Sequence, residues 1–299
     1  MLRRLAGLIL AGGAGALGWA LFEAQWYRLR TLTIPVLPAH AEDIRVLHIS
    51  DLHLLPSQSK RLAFIRDLAA LSPDLIVNTG DNISNADAID ALDGVWGGLK
   101  RVPGVFIFGS NDYQAPRFKN PLAYVYKGRS EASADGDVKL LPTQRLKETF
   151  EGYGWMDLTH RRHTMNFSGL TIEFRGTDDA HHDRDDYSLV AGAPGDGVDL
   201  SIGVTHAPYL RLLDGMTADG VDLIFAGHTH GGQVCVPGVG ALTTNCDLEP
   251  ARVKGLSTHQ HGGNSAWLHV SGGLGTSPYA PIRVACRPEV SLVTLTPRG

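Results

Sequence analysis

Cysteine is scarce in this 299-residue chain, and the three present, Cys235, Cys246 and Cys286, show no Cys-x-x-Cys spacing. Neither a thiolate zinc cluster nor a disulfide framework is therefore expected to organise the fold. A single Cys235–Cys246 bridge stays open, and otherwise each cysteine is expected as a small buried hydrophobe. Basic runs are missing too, and the net charge is −4 with acids and bases interspersed. No nucleic acid is expected as a partner, because a polyphosphate backbone would meet no positive face. No internal repeat or low-complexity linker divides the chain. A hydrophobic content of 43% is ample for one large core.

Residues 5–22 form an uncharged run rich in Leu, Ala and Gly, with Arg3 and Arg4 before it and Glu23 after it. Its length is close to the minimum for a bilayer span. No Ala-x-Ala cleavage pattern follows, since Trp19, Phe22, Trp26 and Tyr27 crowd the region. The run is therefore expected as an uncleaved transmembrane anchor through the lipid bilayer, with those aromatics at the interface. Arg28 and Arg30 nearly balance Arg3 and Arg4, but the Arg3-Arg4 pair resembles a twin-arginine export signal, which tips the expected side to the exported face. The division that follows is an anchor and juxtamembrane segment over 1–30 and a globular domain over 31–299.

Beyond the anchor, short apolar runs alternate with helical periodicity. Strands are expected over 31–36, 44–49, 75–77, 105–108, 200–204 and 221–226, and helices over 59–71, 86–100, 142–153 and 209–216. Such β-α alternation implies crossover units with functional loops at the carboxyl ends of the strands. The middle is less regular. Residues 120–137 read as loop and 164–175 as a hairpin, while 177–186, dense in Asp and His, reads as a solvated loop or a lid over the substrate. Gly-rich strands follow at 234–236, 266–270 and 290–295.

The expected strand ends carry Asp51, His53, Asp81, Asn111, His206, His228 and His230. Carboxylate and amide oxygens with imidazole nitrogens, and no thiolate, form the ligand mix for two adjacent hard or borderline metal ions. Asp81 is the candidate bridge, because one carboxylate can offer an oxygen to each ion.

The blocks Asp51-Leu52-His53, Gly80-Asp81, Gly109-Ser110-Asn111-Asp112, the lone His206 and Gly227-His228-Thr229-His230 resemble those of the calcineurin-like metallophosphoesterase superfamily. With Gly231-Gly232-Gln233 and the anchor, the chain looks most like the membrane-associated branch that includes bacterial phosphodiesterases and UDP-diacylglucosamine pyrophosphatases. The resemblance implies an α/β sandwich of two mixed β-sheets flanked by helices, here preceded by a transmembrane helix. It implies one metal ion on Asp51, His53, Asp81 and His230 and a second on Asp81, Asn111, His206 and His228, the ions being divalent or trivalent Mn, Fe or Zn. It also implies hydrolysis of a phosphodiester or pyrophosphate, in a lipid-linked substrate, by a metal-bridging hydroxide.

One block departs from the pattern. Either Ser110 or Asn111 fills the amide-ligand position, and Asn111 is expected because amide oxygens suit such cations. The histidine that the family uses to protonate the leaving group is missing. Asp112 is the candidate replacement, acting beside Asn111, on condition that its pKa is raised. Good leaving groups are therefore the expected preference. The alternative reading is a non-catalytic metal-binding or sensing module on the same fold. A metallo-β-lactamase-type hydrolase would need a His-x-His-x-Asp-His cluster, and the residues after His230 are Gly231-Gly232-Gln233, which argues against it. His48 is expected as a satisfied core residue or one that orients a ligand. His259, His261 and His269 are expected in surface or structural roles, and residues 272–277 with Arg283 at the border of the phosphate pocket.

Overall fold

The structure, a computed structural model, describes residues 2–118 and 138–299, with side chains described from residue 12 onward. The loop expected over 120–137 lies outside the described residues. Two six-stranded mixed sheets face each other. The first holds β1 (Arg28–Leu37), β14 (Glu289–Pro297), β2 (Ile44–Ile49), β3 (Leu75–Asn78), β4 (Gly104–Phe106) and β5 (Met156–Asp157), in that order. The second runs β12 (Gly255–His261), β13 (Asn264–Val270), β9 (Leu223–Ala226), β8 (Leu200–Thr205), β7 (Leu170–Gly176) and β6 (Arg161–Phe167). A small ribbon of β10 (Cys235–Val236) and β11 (Gly240–Ala241) stands apart.

The strands β2 to β5 are mutually parallel, as are β7, β8, β9 and β13. Every residue of β3, β8 and β9 is buried, which is why these strands read as continuous apolar runs rather than as alternation. Ile34, Val46, Val77 and Val105 of the first sheet meet Phe174, Ile202, Val204 and Phe225 of the second in the inner core. The outer face of the first sheet, including Leu47, Ile76 and Phe106, is covered by three helices. These are α2 (Ser59–Asp67), α3 (Ala88–Trp96) and α5 (Thr143–Glu151), which contribute Ile65, Leu92, Trp96 and Phe150. Helix α6 (Leu210–Ala218) places Leu213 and Met216 on Ile224 and Leu268 of the second sheet. Each such fully buried side chain stabilises the fold by about 1.5 to 3 kcal/mol.

Strand β12 escapes the sequence pattern, because it is an edge strand paired only with β13 and carries Ser257, Thr258, His259 and Gln260. The cysteines correct one expectation. All three are free, and Cys235 lies beside Cys286, both sulfurs 3.2 Å from the Gly231 carbonyl, rather than bridging to Cys246.

The amino-terminal run forms helix α1 (Leu2–Glu23). Among the described residues no helix is long and apolar enough to cross a membrane, and the side chains of residues 5–11 in the expected anchor lie outside the described ones. The carboxyl end of α1 belongs to the packed domain. Ala20, Glu23 and Ala24 are buried, and the Glu23 carboxylate accepts the N–H groups of Ala285 at 3.1 Å and Cys286 at 2.7 Å. Strand β1 likewise begins ahead of residue 31.

Candidate metal centre

Five strands deliver polar residues to one place. The turns after β2, β3 and β4 carry Asp51 and His53, Asp81, and Asn111 on the short helix α4 (Ser110–Tyr113); the turns after β8 and β9 carry His206, His228 and His230. All are carboxyl ends of parallel strands, three from one sheet and two from the other. The backbone there is held in an uncommon form. Asp51 (φ 51°), His53 (41°), Asp81 (56°), His228 (69°) and His230 (50°) all occupy the left-handed region. That conformation costs a residue with a Cβ roughly 1 to 2 kcal/mol, and the surrounding structure must offset it.

Close approach explains two of the glycines. A Cβ on Gly227 would lie 1.9 Å from Ser50 Oγ and 2.7 Å from Asp51 Oδ2, and one on Gly109 would lie 2.3 Å from Asp81 Oδ1 and 2.5 Å from His206 Cε1.

Asp81 sits between two histidines, with Oδ2 3.3 Å from His53 Nε2 and Oδ1 3.6 Å from His206 Nε2. On one side His53 Nε2 is 3.1 Å from His230 Nε2, which is 3.7 Å from Asp51 Oδ1. On the other, His206 Nε2 is 3.3 Å from His228 Nδ1. Asn111 donates its main-chain N–H to Asp81 Oδ1 and its Nδ2 to Oδ2, both at 2.7 Å. Ligand atoms of Asp51, His53 and His230, and of Asp51, Asp81 and His206, each lie within 4.8 Å of one another. Donors bound to a transition ion at about 2.1 Å are about 3.0 to 3.4 Å apart, and the pairs at 3.1 to 3.7 Å lie near that spacing.

Electrostatics prepare the same atoms. Burial lowers His53 to about 4 and His228 to about 3 and depresses His230 well below its ordinary value, so these imidazoles are neutral and able to ligate. His206 differs. Burial disfavours its charge, yet the Asp81, Asp51 and Asp179 carboxylates raise it to about 9. Its Nδ1 lies 2.7 Å from the Thr79 carbonyl, which leaves Nε2 turned to Asp81. Burial raises Asp51 to about 6, whereas at Asp81 the His206 charge, the neighbouring His53 ring and the Asn111 hydrogen bonds outweigh burial and hold the carboxyl below its usual range.

Asp112 sits beneath the ligand atoms, in the first turn of α4. Its carboxylate is fully buried and accepts N–H groups from Asp81, Asn82 and Gly109 and from the Asn82 side chain. Burial and the Asp81 charge push it up to about 7, but it faces main chain beneath the site. His48 extends a buried line of contacts: His269 Nδ1 at 2.8 Å, His48, Thr79 Oγ1 at 3.0 Å, Ser50 Oγ at 2.7 Å and Asp51 Oδ2 at 2.5 Å. His269 therefore lies inside the fold, where spacing alone gave no signal. Arg283 is wholly buried behind His230, with its Nη2 3.1 Å from His230 Nδ1 and donating to the Gly273 and Gly275 carbonyls.

The 177–186 segment divides: residues 177–181 pack against the site, while Asp183, Arg184 and Asp186 are exposed. Thr177, Asp178, Asp179 and His181 are buried, and the His181 ring centroid is 4.4 Å from that of His228. Its density of Asp and His was the visible sign.

A sandwich of two sheets with an oxygen- and nitrogen-ligand cradle at its strand ends defines a metal-dependent phosphoester hydrolase. Residues 44–232 match the calcineurin-like phosphoesterase family. The chain belongs to that family. It is similar to YpbG of Bacillus subtilis (strain 168), 26% identical over 98% of this chain and 96% of that one. It is also similar to the metallophosphoesterase YkuE of the same strain, 27% identical over 89% and 83% of the two chains. A transmembrane protein with a metallophosphoesterase domain from Bos taurus is 24% identical over 74% of this chain, which spans 48% of that protein.

Proposed function

We propose that this protein is a dimetal phosphohydrolase that cleaves a phosphodiester or pyrophosphate bond, in a substrate presented at a lipid surface. The observation that carries the reading is Asp81, whose two oxygens face His53 on one side and His206 on the other. Asp51, His53, Asp81 and His230 would hold one ion, and Asp81, Asn111, His206 and His228 the other. Such ions lower the pKa of water and neutralise charge on the phosphoryl oxygens. The chain's own part is to keep His53, His228 and His230 neutral, to hold Asp81 ionised between His53 and His206, and to keep the cradle buried. Asp112 fixes the turn that carries Asp81, and Asn111 is placed against both Asp81 oxygens.

Attachment to a bilayer through the run at residues 5–22 is supported by the aromatics at the end of α1. Trp19, Phe22 and Trp26 are exposed and mutually packed, with ring centroids 5.6 to 6.4 Å apart, and Arg287 lies 3.8 Å over Trp26. Such rings with adjacent cations suit a headgroup layer. The bovine relative is named a transmembrane protein.

The test is hydrolysis of bis(p-nitrophenyl) phosphate by the metal-free protein reloaded with Mn²⁺, together with elemental analysis of bound metal. Turnover that needs metal and vanishes in Asp81→Ala is the expected result. Two bound ions without hydrolysis of any diester or pyrophosphate would establish the binding-module reading instead. Flotation with vesicles of the full chain, lost in a chain starting at residue 24, tests the membrane part.

A further inference from the structure

Beside the centre lies an apolar surface that hydrolysis does not use. The ribbon of β10 and β11 leaves directly from His230-Gly231-Gly232 and returns at Asn245, whose carbonyl lies 3.2 Å from His228 Nε2. A Cβ on Gly232 would sit 2.4 Å from the Ala241 Cβ, so the ribbon is seated tightly on the His230 turn. Its tip is preset. Pro237 and Gly238 (φ 79°) hold the two central positions of a turn in which Val239 donates its N–H to the Val236 carbonyl at 3.0 Å, the pattern of a type II turn.

Register fixes which side chains share a face. Cys235 pairs with Ala241 and Val236 with Gly240, so Val234, Val236 and Leu242 project from the face opposite Cys235. All three are exposed, Leu242 at 65%, and Val239 at the turn is exposed at 76%. Residues 231–246 carry no charge. So many large aliphatic side chains gathered on one short ribbon mark a surface that meets something apolar.

The same surface continues to the end of α1. Val284 bridges to Val234 and donates its N–H to the Gln233 carbonyl at 3.1 Å, and the next two residues, Ala285 and Cys286, donate to Glu23. Trp19, Phe22 and Trp26 are exposed at that end of the helix. The chain has 31 acidic residues, yet the joined segments 12–27, 231–246 and 271–288 hold only Glu23, which is buried. Arg287 stands at the margin, over Trp26. An apolar, acid-free face with aromatics and a cation at its edge matches phospholipid headgroups above acyl chains.

We propose that the ribbon of β10 and β11 inserts Val239 and Leu242 into the outer layer of a phospholipid bilayer, as a second membrane contact beside α1. The proposal rests on the membrane part of the reading above. Because the ribbon starts at His230 and ends against His228, a bilayer that takes it up holds both histidine turns at the headgroup layer, where the phosphoester of a lipid lies.

The experiment uses the full chain carrying Cys246→Ser, in which Cys235 and Cys286 stay buried. An environment-sensitive thiol dye is attached through Val239→Cys, through Leu242→Cys or, as a control at an exposed position outside this face, through Leu189→Cys. Each protein is mixed with vesicles of phosphatidylethanolamine and phosphatidylglycerol and floated. Emission from 239 and 242 should shift to the blue on the vesicles, with quenching by nitroxide-bearing lipid, while 189 stays as in water. A chain that floats with 239 and 242 still in water overturns the ribbon contact and leaves α1 as the attachment. An equal shift at 189 overturns it too. A blue shift that appears without vesicles and grows with protein concentration assigns the face to a second copy of this chain and likewise overturns the proposal. If the shift occurs but flotation is abolished by Val239→Asp with Leu242→Asp, the ribbon contact holds and attachment through α1 fails. Neither readout uses turnover, so the hydrolase reading is tested apart from it.

Discussion

Asp112 and Asp81 are joined through the main chain: one Asp112 oxygen accepts the Asp81 N–H at 2.8 Å while the other accepts that of Asn82 at 2.8 Å. A carboxylate here sets the turn that aims Asp81 at two histidines. Asp112→Asn puts an N–H₂ where an acceptor is needed, so urea unfolding should show a loss of roughly 1 to 3 kcal/mol. Metal affinity should fall about 10- to 100-fold, as for groups that hold a ligand in place. Unchanged stability and metal content, with activity lost only on poor leaving groups, would return Asp112 to the role of proton donor.

Gly227 lets one strand end pass against another. Because a Cβ there would sit 1.9 Å from Ser50 Oγ and 2.7 Å from Asp51 Oδ2, Gly227→Ala must displace one of them. Asp51 also accepts the His228 N–H at 3.0 Å, so both motif turns shift together. The expected result is a destabilisation of about 1 to 3 kcal/mol by thermal unfolding and weaker metal uptake. Wild-type metal affinity in this variant would show that the contact is softer than drawn.

His206 gives the metal-free protein a pH signature. Its folded pKa, about 9, lies above the ordinary 6.5 because of the Asp81 and Asp51 carboxylates, with burial opposing. A raised histidine contributes stability that is complete below the unfolded value and is lost as pH rises through the folded one. Metal-free protein should therefore unfold more easily as pH goes from about 6.5 to about 9. Metal uptake needs the neutral ring, so affinity should climb over the same window, with proton release visible when titrations are repeated in buffers of different ionisation enthalpy. A metal-free midpoint that rises across this range, or uptake without proton release, contradicts the assignment.

Glu23 ties α1 to the centre. Its carboxylate accepts Ala285 and Cys286 N–H groups, and the Arg283 N–H donates to the Ala20 carbonyl at 3.0 Å, while the Arg283 side chain reaches His230. Glu23→Ala leaves two main-chain donors unmatched. A loss of about 1 to 3 kcal/mol in unfolding free energy is expected, with reduced metal affinity because Arg283 and His230 lose their brace. If only membrane attachment changed, α1 would be a tether and nothing more.

Much of the fold was legible because its central strands are buried on both faces, so 44–49, 200–204 and 221–226 stand out as apolar runs in any reading. The edge strand β12 was not, since an edge half open to solvent can carry Thr258 and Gln260 without penalty. The ligand candidates were legible because metal chemistry limits residue types and because parallel strands deliver them at fixed points of the chain.

What the order of residues determined by itself is therefore the family, the alternation of strand and helix, and which side chains stand at the strand ends. Only the folded chain decided how they are used. The left-handed backbone at Asp51, His53, Asp81, His228 and His230, the downward turn of Asp112, and the approach of His181 to His228 all depend on contacts between segments far apart in sequence. A motif records the identity of a side chain, whereas its direction is set by the packing of neighbours that the motif does not contain.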